Sequence, residues 1–368
     1  MENVKVELSK KSDDSILNSI LRDNEMKGNI SIAFQRYPSY FNALKIEGKH
    51  NQVIVGRNEQ NEIIGFGTRS IKQAYINGKI QHVGYLSNLR VIKGYKGEGY
   101  LHNGYNFLRK LHQDRKVSIY YSTIIEDNKV AIKILTSKKS YLPAYHDIGR
   151  YCTFAVSLLG KQRNYKNKLK IISGSDRDIK KIVHFLNNTG AKKQFYPYSK
   201  LNDFNSKNKN LIGFDIKDFY VAMKDDKIVG VIGKWDQRRF RQIIITGYRG
   251  VMLLIKPIYN TLSNLFGFSP LPQPNSQLNF FYVSFIAIKD NDSKIFRELL
   301  YALYNDFVGK NYSHLLIGLH SRDALSKVLD DFTCIKFNSK LFIVYWQDGE
   351  NVFKQLDSRI PYVELATL

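Results

Sequence analysis

Hydrophobic and polar positions along this chain repeat in one order twice. The first succession opens with the alternating run Val4-Lys5-Val6-Glu7-Leu8, which predicts a strand. Ser12-Asp13-Asp14 follows as a helix cap before apolar residues at Ile16, Leu17, Ile20 and Leu21, a helical spacing. The second opens with Leu169-Lys170-Ile171-Ile172, a cap at Ser175-Asp176, and Ile179, Ile182, Val183 and Leu186 at the same spacing. Paired hairpins come next: Val53 to Arg57 with Glu62 to Gly67, and Tyr220 to Lys224 with Ile228 to Gly233, joined by polar turns. A further hairpin turn is predicted at Asn77-Gly78. Tyr85-Leu86-Ser87-Asn88-Leu89-Arg90-Val91-Ile92-Lys93 then matches Tyr282-Val283-Ser284-Phe285-Ile286-Ala287-Ile288-Lys289, each followed by a helix. A strand comes after each helix, Val117 to Ile125 or His314 to Leu319. Then follows a short helix around Ala131 and Leu135 or Ala324 and Leu329, and two last strand-like runs close each half.

The matching residues lie about 165 positions apart at the hairpin and about 196 apart at the central strand, so roughly 30 residues are inserted in the second half. The insertion falls near 247–276. Val251 to Phe268 reads as an extra apolar helix or loop, broken by Pro270 to Pro274. The division expected is a domain over 1–160, a basic linker over 161–168, and a second domain over 169–368. Both have an α/β (α+β) build, with a mixed, mostly antiparallel sheet flanked by helices.

Length agrees with this reading, since 368 residues fit two cores better than one. No stretch approaches 18 uncharged apolar residues and the first residues lack a hydrophobic signal region, so a cytoplasmic protein without a membrane span is expected. Cys152 and Cys334 stand alone in apolar runs and read as buried, inert thiols. Charge changes the picture more. With 56 Lys and Arg against 33 Asp and Glu the net charge is +23, which favours anionic partners: phosphates, nucleic acid, acidic lipid surfaces or a phosphorylated cofactor. Lys234-Trp235-Asp236-Gln237-Arg238-Arg239-Phe240-Arg241 interleaves cations and aromatics and admits nucleic acid, but a solvated edge strand guarded by charge is the favoured reading.

One position carries candidate chemistry. The turn Lys96-Gly97-Glu98-Gly99 opens a helix whose Leu101, Tyr105, Leu108 and Leu111 share one face. Amides of a first helical turn lack intrahelical partners and sit at the positive end of the helix dipole, so they suit a phosphate. A Walker loop would need a Gly-Lys-Ser/Thr ending, which is missing, and a dinucleotide fingerprint would sit in a repeating βαβ unit rather than after a meander. In the second half the corresponding turn, Asp290-Asn291-Asp292-Ser293, has two acids and no glycine. It should repel phosphate, with Asp292 or Ser293 acting as a helix cap.

The run from Leu89 through Lys96-Gly97-Glu98-Gly99 to Leu101, with Asn128-Lys129-Val130-Ala131 after the next strand, resembles the GNAT superfamily of acyl-CoA N-acyltransferases, and the repeat makes the chain similar to a tandem GNAT protein. The resemblance implies that the backbone of Leu89, Arg90 and Val91 pairs with the pantetheine arm of acetyl-CoA or another acyl-CoA. It implies further that the amides of Lys96, Gly97, Glu98, Gly99 and Tyr100 hold the pyrophosphate and that Asn128 lies near the thioester. The family's usual base on the central strand is replaced by Ser87 and Asn88, and its usual tyrosine acid by Leu135. Tyr141, Tyr145 and Ser87 are the substitutes that the sequence offers.

His102 and His112 lie about three helical turns apart without a carboxylate pairing, so no metal is expected. The apolar tail Ile360 to Leu368 is expected to dock on the body, where a terminal carboxylate is a further candidate base. The leading functional reading is an acetyl-CoA-dependent N-acetyltransferase. Its acceptor is an amine-bearing small molecule, peptide or protein, anionic acceptors included. The alternatives are a tRNA-dependent aminoacyl transferase of the cell-wall type and a non-catalytic acyl-CoA-binding module.

Overall fold

The computed structural model describes residues 4–92, 94–95, 98–160, 169–175, 178–204, 211–266 and 271–368. The first half contains β1 (Lys5–Leu8), α1 (Asp14–Asp23), β2 (Ile30–Gln35), α2 (Tyr40–Leu44), β3 (His50–Arg57), β4 (Ile63–Ile76), β5 (Lys79–Val91), α3 (Glu98–His112), β6 (Tyr120–Ile125), α4 (Lys129–Leu135) and β7 (Ala144–Ser157). The second contains β8 (Lys170–Ser173), α5 (Ile179–Gly190), β9 (Phe219–Lys224), β10 (Lys227–Trp235), β11 (Gln242–Tyr248), α6 (Val251–Phe266), β12 (Ser276–Gln277), β13 (Phe280–Ile288), α7 (Ser293–Phe307), β14 (His314–His320), β15 (Cys334–Tyr345) and α8 (Glu350–Lys354).

Apolar spacing translates directly into buried faces. In α1, Leu17, Ile20 and Leu21 are buried, and in α5, Ile182, Val183 and Leu186. The β4–β5 hairpin turns at Asn77 and Gly78 and the β9–β10 hairpin at Asp225 and Asp226, all four with positive φ as a two-residue type I′ turn requires. α7 begins at Asp292, whose side chain caps the N–H of Lys294 at 2.8 Å.

Strand order makes the repeat visible in space. Among the described residues one sheet runs β1-β3-β4-β5-β6-β15-β7-β14-β13-β10-β9-β8. Under the sequence match it reads the same from either end, except that the last strands are exchanged: β15 of the second half pairs with β6, and β7 of the first half pairs with β14. The two exchanged strands pair with each other at the centre. Each is also one long strand where the sequence suggested two short runs. A register shift between Lys340 and Phe342, opposite Gly149 at φ +120°, bends the pair without ending it. β15 thereby completes the first half's interior on both faces. Phe342 and Val344 pack with Tyr105, Leu108 and Leu135 on the α3 side, and Leu341 and Ile343 with Tyr85, Tyr121 and Val363 on the other.

A three-stranded sheet, β12-β11-β2, also ties the halves together. It corrects the reading of Lys234 to Arg241 as a solvated edge strand. Lys234 and Trp235 end β10 inside the large sheet, and the rest turns into β11 with Trp235, Gln237 and Phe240 buried and the Arg238 guanidinium over the Tyr312 ring. The insertion does contain a helix, α6, and the basic stretch 161–168 lies outside the described residues.

Candidate functional site

The site begins where two parallel strands separate. β5 pairs with β6 only at Gly84–Tyr120 and Tyr85–Tyr121, and the Ser122 hydroxyl closes the apex by donating to the Leu86 carbonyl at 2.9 Å. Beyond the apex, β6 continues along β15 while Ser87 to Val91 stay with β4, so a wedge opens between β5 and β6. β5 carries an extra residue here: Phe66 pairs with Arg90 and Thr68 with Ser87, and Asn88 sits at φ +56°. Asparagine tolerates that conformation.

The second half repeats the bulge, Val231 pairing with Ala287 and Gly233 with Ser284, with Phe285 at φ +52°. Phenylalanine is poorly suited to this region, so surrounding contacts must hold it. They come from the tail. The Phe285 N–H donates to a Glu364 carboxylate oxygen at 2.7 Å, and the Ile286 N–H to the Tyr362 hydroxyl oxygen at 3.1 Å. Residues Tyr362 to Thr367 therefore fill, in the second half, the place that the wedge leaves beside β5 in the first. The Ala366 carbonyl accepts from Gln237 at 2.8 Å and Arg241 at 2.9 Å, and Arg241 also donates to the Leu368 carbonyl oxygen.

A buried polar network stands beside the first bulge, and its central residue gave no signal in the sequence. Glu47, in the turn after α2, accepts from Arg36 at 2.6 Å and from the Ser87 hydroxyl at 2.9 Å. Asn88 donates to Ser87 at 2.9 Å and accepts from Arg36 at 3.3 Å. The turn reaches so far in because Gly48 lies against β4: a Cβ there would stand 2.5 Å from the Ile71 carbonyl oxygen. Burial alone would lower the Arg36 pKa, but the Glu47 carboxylate outweighs it and holds the guanidinium above its ordinary value.

Lys72, two residues beyond Ser70 on β4, donates to the Thr367 hydroxyl at 2.9 Å. Burial brings its ammonium down to about 8 against the opposing pull of Glu364 and Glu47. Burial likewise raises Glu364, against the hydrogen bonds from Phe285, Tyr362 and Ala366 and the charge of Lys72.

The tyrosines proposed from sequence occupy the α3 side of the sheet. Tyr145 shares a 2.7 Å hydrogen bond with Tyr105, and burial pushes its phenol up to about 12. Tyr141 packs edge-on to His102, and its buried hydroxyl has no hydrogen-bond partner among the described residues. Tyr145 and Leu135 join the apolar cluster beneath α3, whereas Ser87 belongs to the Glu47 network.

Of the residues expected to line a cofactor, Leu89 is exposed, Arg90 donates to the Leu89 carbonyl at 3.0 Å, and Val91 pairs with Gly65. Lys96 and Gly97 lie outside the described residues, as does the side chain of Glu98, whose backbone opens α3. Among the described residues nothing stands within 4 Å of where a Gly99 Cβ would be, so their packing does not require glycine there. Tyr100 packs edge-on to Tyr95. Asn128 caps α4 by accepting from the Ala131 N–H at 3.1 Å. His112, read as lacking a carboxylate, in fact bridges Tyr120 at 2.8 Å and Asp348 at 3.0 Å.

No protein-family model matches the sequence, and no curated protein matches it. Solved structures do share the fold. One is titled for a GCN5-related glucosamine N-acetyltransferase region in a fungal multi-domain GH3 β-N-acetylglucosaminidase, with 10% identity, TM-score 0.62 and 94% of this chain covered. The present chain spans only 38% of that protein's length. The N-myristoyltransferase of Saccharomyces cerevisiae with bound myristoyl-CoA aligns at 13% identity and TM-score 0.60, over 94% of this chain and 83% of that one. A GCN5-related N-acetyltransferase from Sphaerobacter thermophilus aligns at 10% identity and TM-score 0.52, over 86% of this chain and 83% of that one. The protein has the GNAT fold, in the double form that the internal repeat describes.

Proposed function

We propose that the protein is an acyl-CoA-dependent N-acyltransferase whose donor lies in the wedge between β5 and β6. The observation that carries this reading is the pair of bulges. In the second half the bulge amides of Phe285 and Ile286 hold oxygen atoms at 2.7 and 3.1 Å. Their counterparts in the first half, the N–H groups of Asn88 and Leu89, would present the same two donors to a thioester carbonyl, where developing negative charge is stabilised most. The pantetheine arm would follow Leu89 to Val91 along the edge that β6 leaves. The pyrophosphate would meet the first turn of α3 at Gly99 and Tyr100 and the preceding Lys96 and Gly97.

Glu47 is the proposed proton acceptor. Its carboxylate receives the Ser87 hydroxyl, so an acceptor amine beside Ser87 could pass a proton along that bond. Tyr141, with its unpartnered hydroxyl, is the proposed donor to the leaving thiolate, and Tyr145 is a packing partner of Tyr105. Residues 1–160 would carry the donor, while 169–368, filled by the tail at its own bulge, would shape the acceptor cleft. Strand exchange makes the two parts one folding unit in this proposal. The acceptor would be an amine on a small molecule, peptide or protein.

Acetyl-CoA is the first donor to test, beside myristoyl-CoA, which the yeast N-myristoyltransferase holds. The assay is thiol release from each thioester over a panel of amines. Release dependent on both donor and amine supports the proposal, and tight binding without release for any amine leaves an acyl-CoA-binding module.

A further inference from the structure

The insertion of the second half, which the proposed reaction leaves without a role, contains a helix with exposed apolar side chains. α6 has the sequence VMLLIKPIYNTLSNLF. Val251 is 62% exposed, Leu253 59% and Ile255 43%. Val251 and Ile255 lie four residues apart on one side, and Leu253 points about 200° away from Val251 around the axis. Among the described side chains of α6, Met252, Lys256 and Asn260 are half-buried at helical spacing, and the apolar Val251, Leu253 and Ile255 beside them are exposed and need another apolar environment. At 16 residues it is about 24 Å long, and no helix among the described residues is long and apolar enough to cross a membrane.

Charge around the helix selects the environment. From Gln237 to Lys289 the chain has no Asp or Glu. Arg238 and Arg241 are engaged inside the protein by Asp236 and the tail, which leaves Arg239, Arg249, Lys256 and Lys289 as the segment's other cations. Arg249 stands two residues before the helix, and its N–H donates to the Asn29 carbonyl at 2.9 Å, which brings the turn carrying Lys27 to the helix start. Glu25 is the nearby acid, and it is already engaged by Arg249 at 3.1 Å and Lys27 at 3.9 Å. Lys256 lies within the helix, its ammonium over the Tyr248 ring at 4.6 Å. Exposed aliphatic side chains beside cations are the combination that seats a helix in the headgroup layer of an anionic bilayer.

We propose that α6 is an interfacial docking helix that places the protein on an anionic lipid surface, with Val251, Leu253 and Ile255 entering the acyl boundary and Lys27, Arg249 and Lys256 facing phosphate headgroups. The inference is independent of the acyl-transfer reading. It is tested by flotation of the full-length protein with large unilamellar vesicles, either phosphatidylcholine alone or phosphatidylcholine with 30% phosphatidylglycerol, at low and at 0.5 M salt, as an assay composition on the order set by anionic leaflets.

The wild type should float with the anionic vesicles at least tenfold better than with neutral ones, and high salt should weaken it. The double variant Leu253→Glu, Ile255→Glu should lose flotation while keeping its circular dichroism spectrum. Arg249→Glu with Lys256→Glu, which leaves the apolar side chains in place, should lose the preference for anionic vesicles. Absence of flotation with either composition overturns the proposal, as does equal flotation of wild type and both variants. A self-association in sedimentation velocity that the Leu253→Glu, Ile255→Glu variant abolishes, without vesicle binding, overturns it in favour of a second copy of the chain.

Discussion

The carboxylate of Glu364 accepts the backbone N–H of Phe285 at 2.7 Å, so the second half of the protein fills its own bulge with a side chain from the tail. The first half has the same bulge at Asn88, and no hydrogen bond from a tail-like segment to it is made among the described residues. The chain thus closes the bulge of the second half, which is the physical basis for proposing a single donor site in the first.

Glu364→Ala removes a buried acceptor of three hydrogen bonds and leaves the Phe285 amide unsatisfied. The cost should be about 3 kcal/mol, read from urea unfolding. Calorimetric stoichiometry for acyl-CoA should not exceed one site in the variant, because the turn that corresponds to Lys96–Gly99 in the second half carries Asp290 and Asp292 and no glycine.

At Gly99 the fold and the ligand make different demands. Gly99→Ala should leave unfolding within about 0.5 kcal/mol of wild type, since a Cβ meets nothing within 4 Å among the described residues. Gly99→Glu should keep the fold and weaken acyl-CoA binding by at least about tenfold, because a carboxylate would stand at the positive helix end reserved for phosphate. Equal binding by the glutamate variant would move the donor away from α3.

Ser87→Ala should lower kcat by roughly 10²-fold with little change in donor affinity, if the Ser87–Glu47 bond carries the proton. Glu47→Gln should lower kcat as far and also destabilise the fold by about 3 kcal/mol, because the buried Arg36 loses its counter-charge. Tyr141→Phe should reduce kcat strongly, whereas Tyr145→Phe should cost only about 1 kcal/mol of stability for its bond to Tyr105. Turnover unchanged in both Ser87→Ala and Tyr141→Phe would remove the two proposed proton routes.

Lys72 predicts a pH dependence of stability with a definite sign. Its folded pKa of about 8 lies below the ordinary value of 10.5, so the unfolded chain binds more protons between those limits. Stability should rise with pH from about 8 to 10.5 relative to Lys72→Met, and the difference should level off below pH 8. Guanidinium unfolding of the two proteins at pH 7, 8, 9 and 10 measures it. A difference that falls with rising pH would contradict the placement of Lys72.

Local pattern made the elements legible, and long-range pairing hid the site. Apolar spacing placed α1 and α5, the turn residues placed the hairpins, and the match of Tyr85–Lys93 to Tyr282–Lys289 located both central strands. The exchange of β7 and β15 could not be read, because apolar alternation fixes which face of a strand is buried and not which neighbouring strand it pairs with. Glu47 was invisible for a related reason. Its role depends on Gly48 pressing a turn against Ile71, and on Arg36 and Ser87 arriving from elements that are separate in sequence. Lys234 to Arg241 misled through composition, since its cations and aromatics pair with Asp236, Tyr312 and the tail inside the protein.

The most direct measurement is isothermal titration of the full-length protein with acetyl-CoA and myristoyl-CoA, followed by thiol release with the amine panel, and with tRNA titrated in parallel. The account predicts one acyl-CoA site per chain, weakened by Gly99→Glu, with amine-dependent thiol release that Ser87→Ala slows. Failure of either thioester to bind at millimolar concentration, with saturable binding of tRNA, would contradict it.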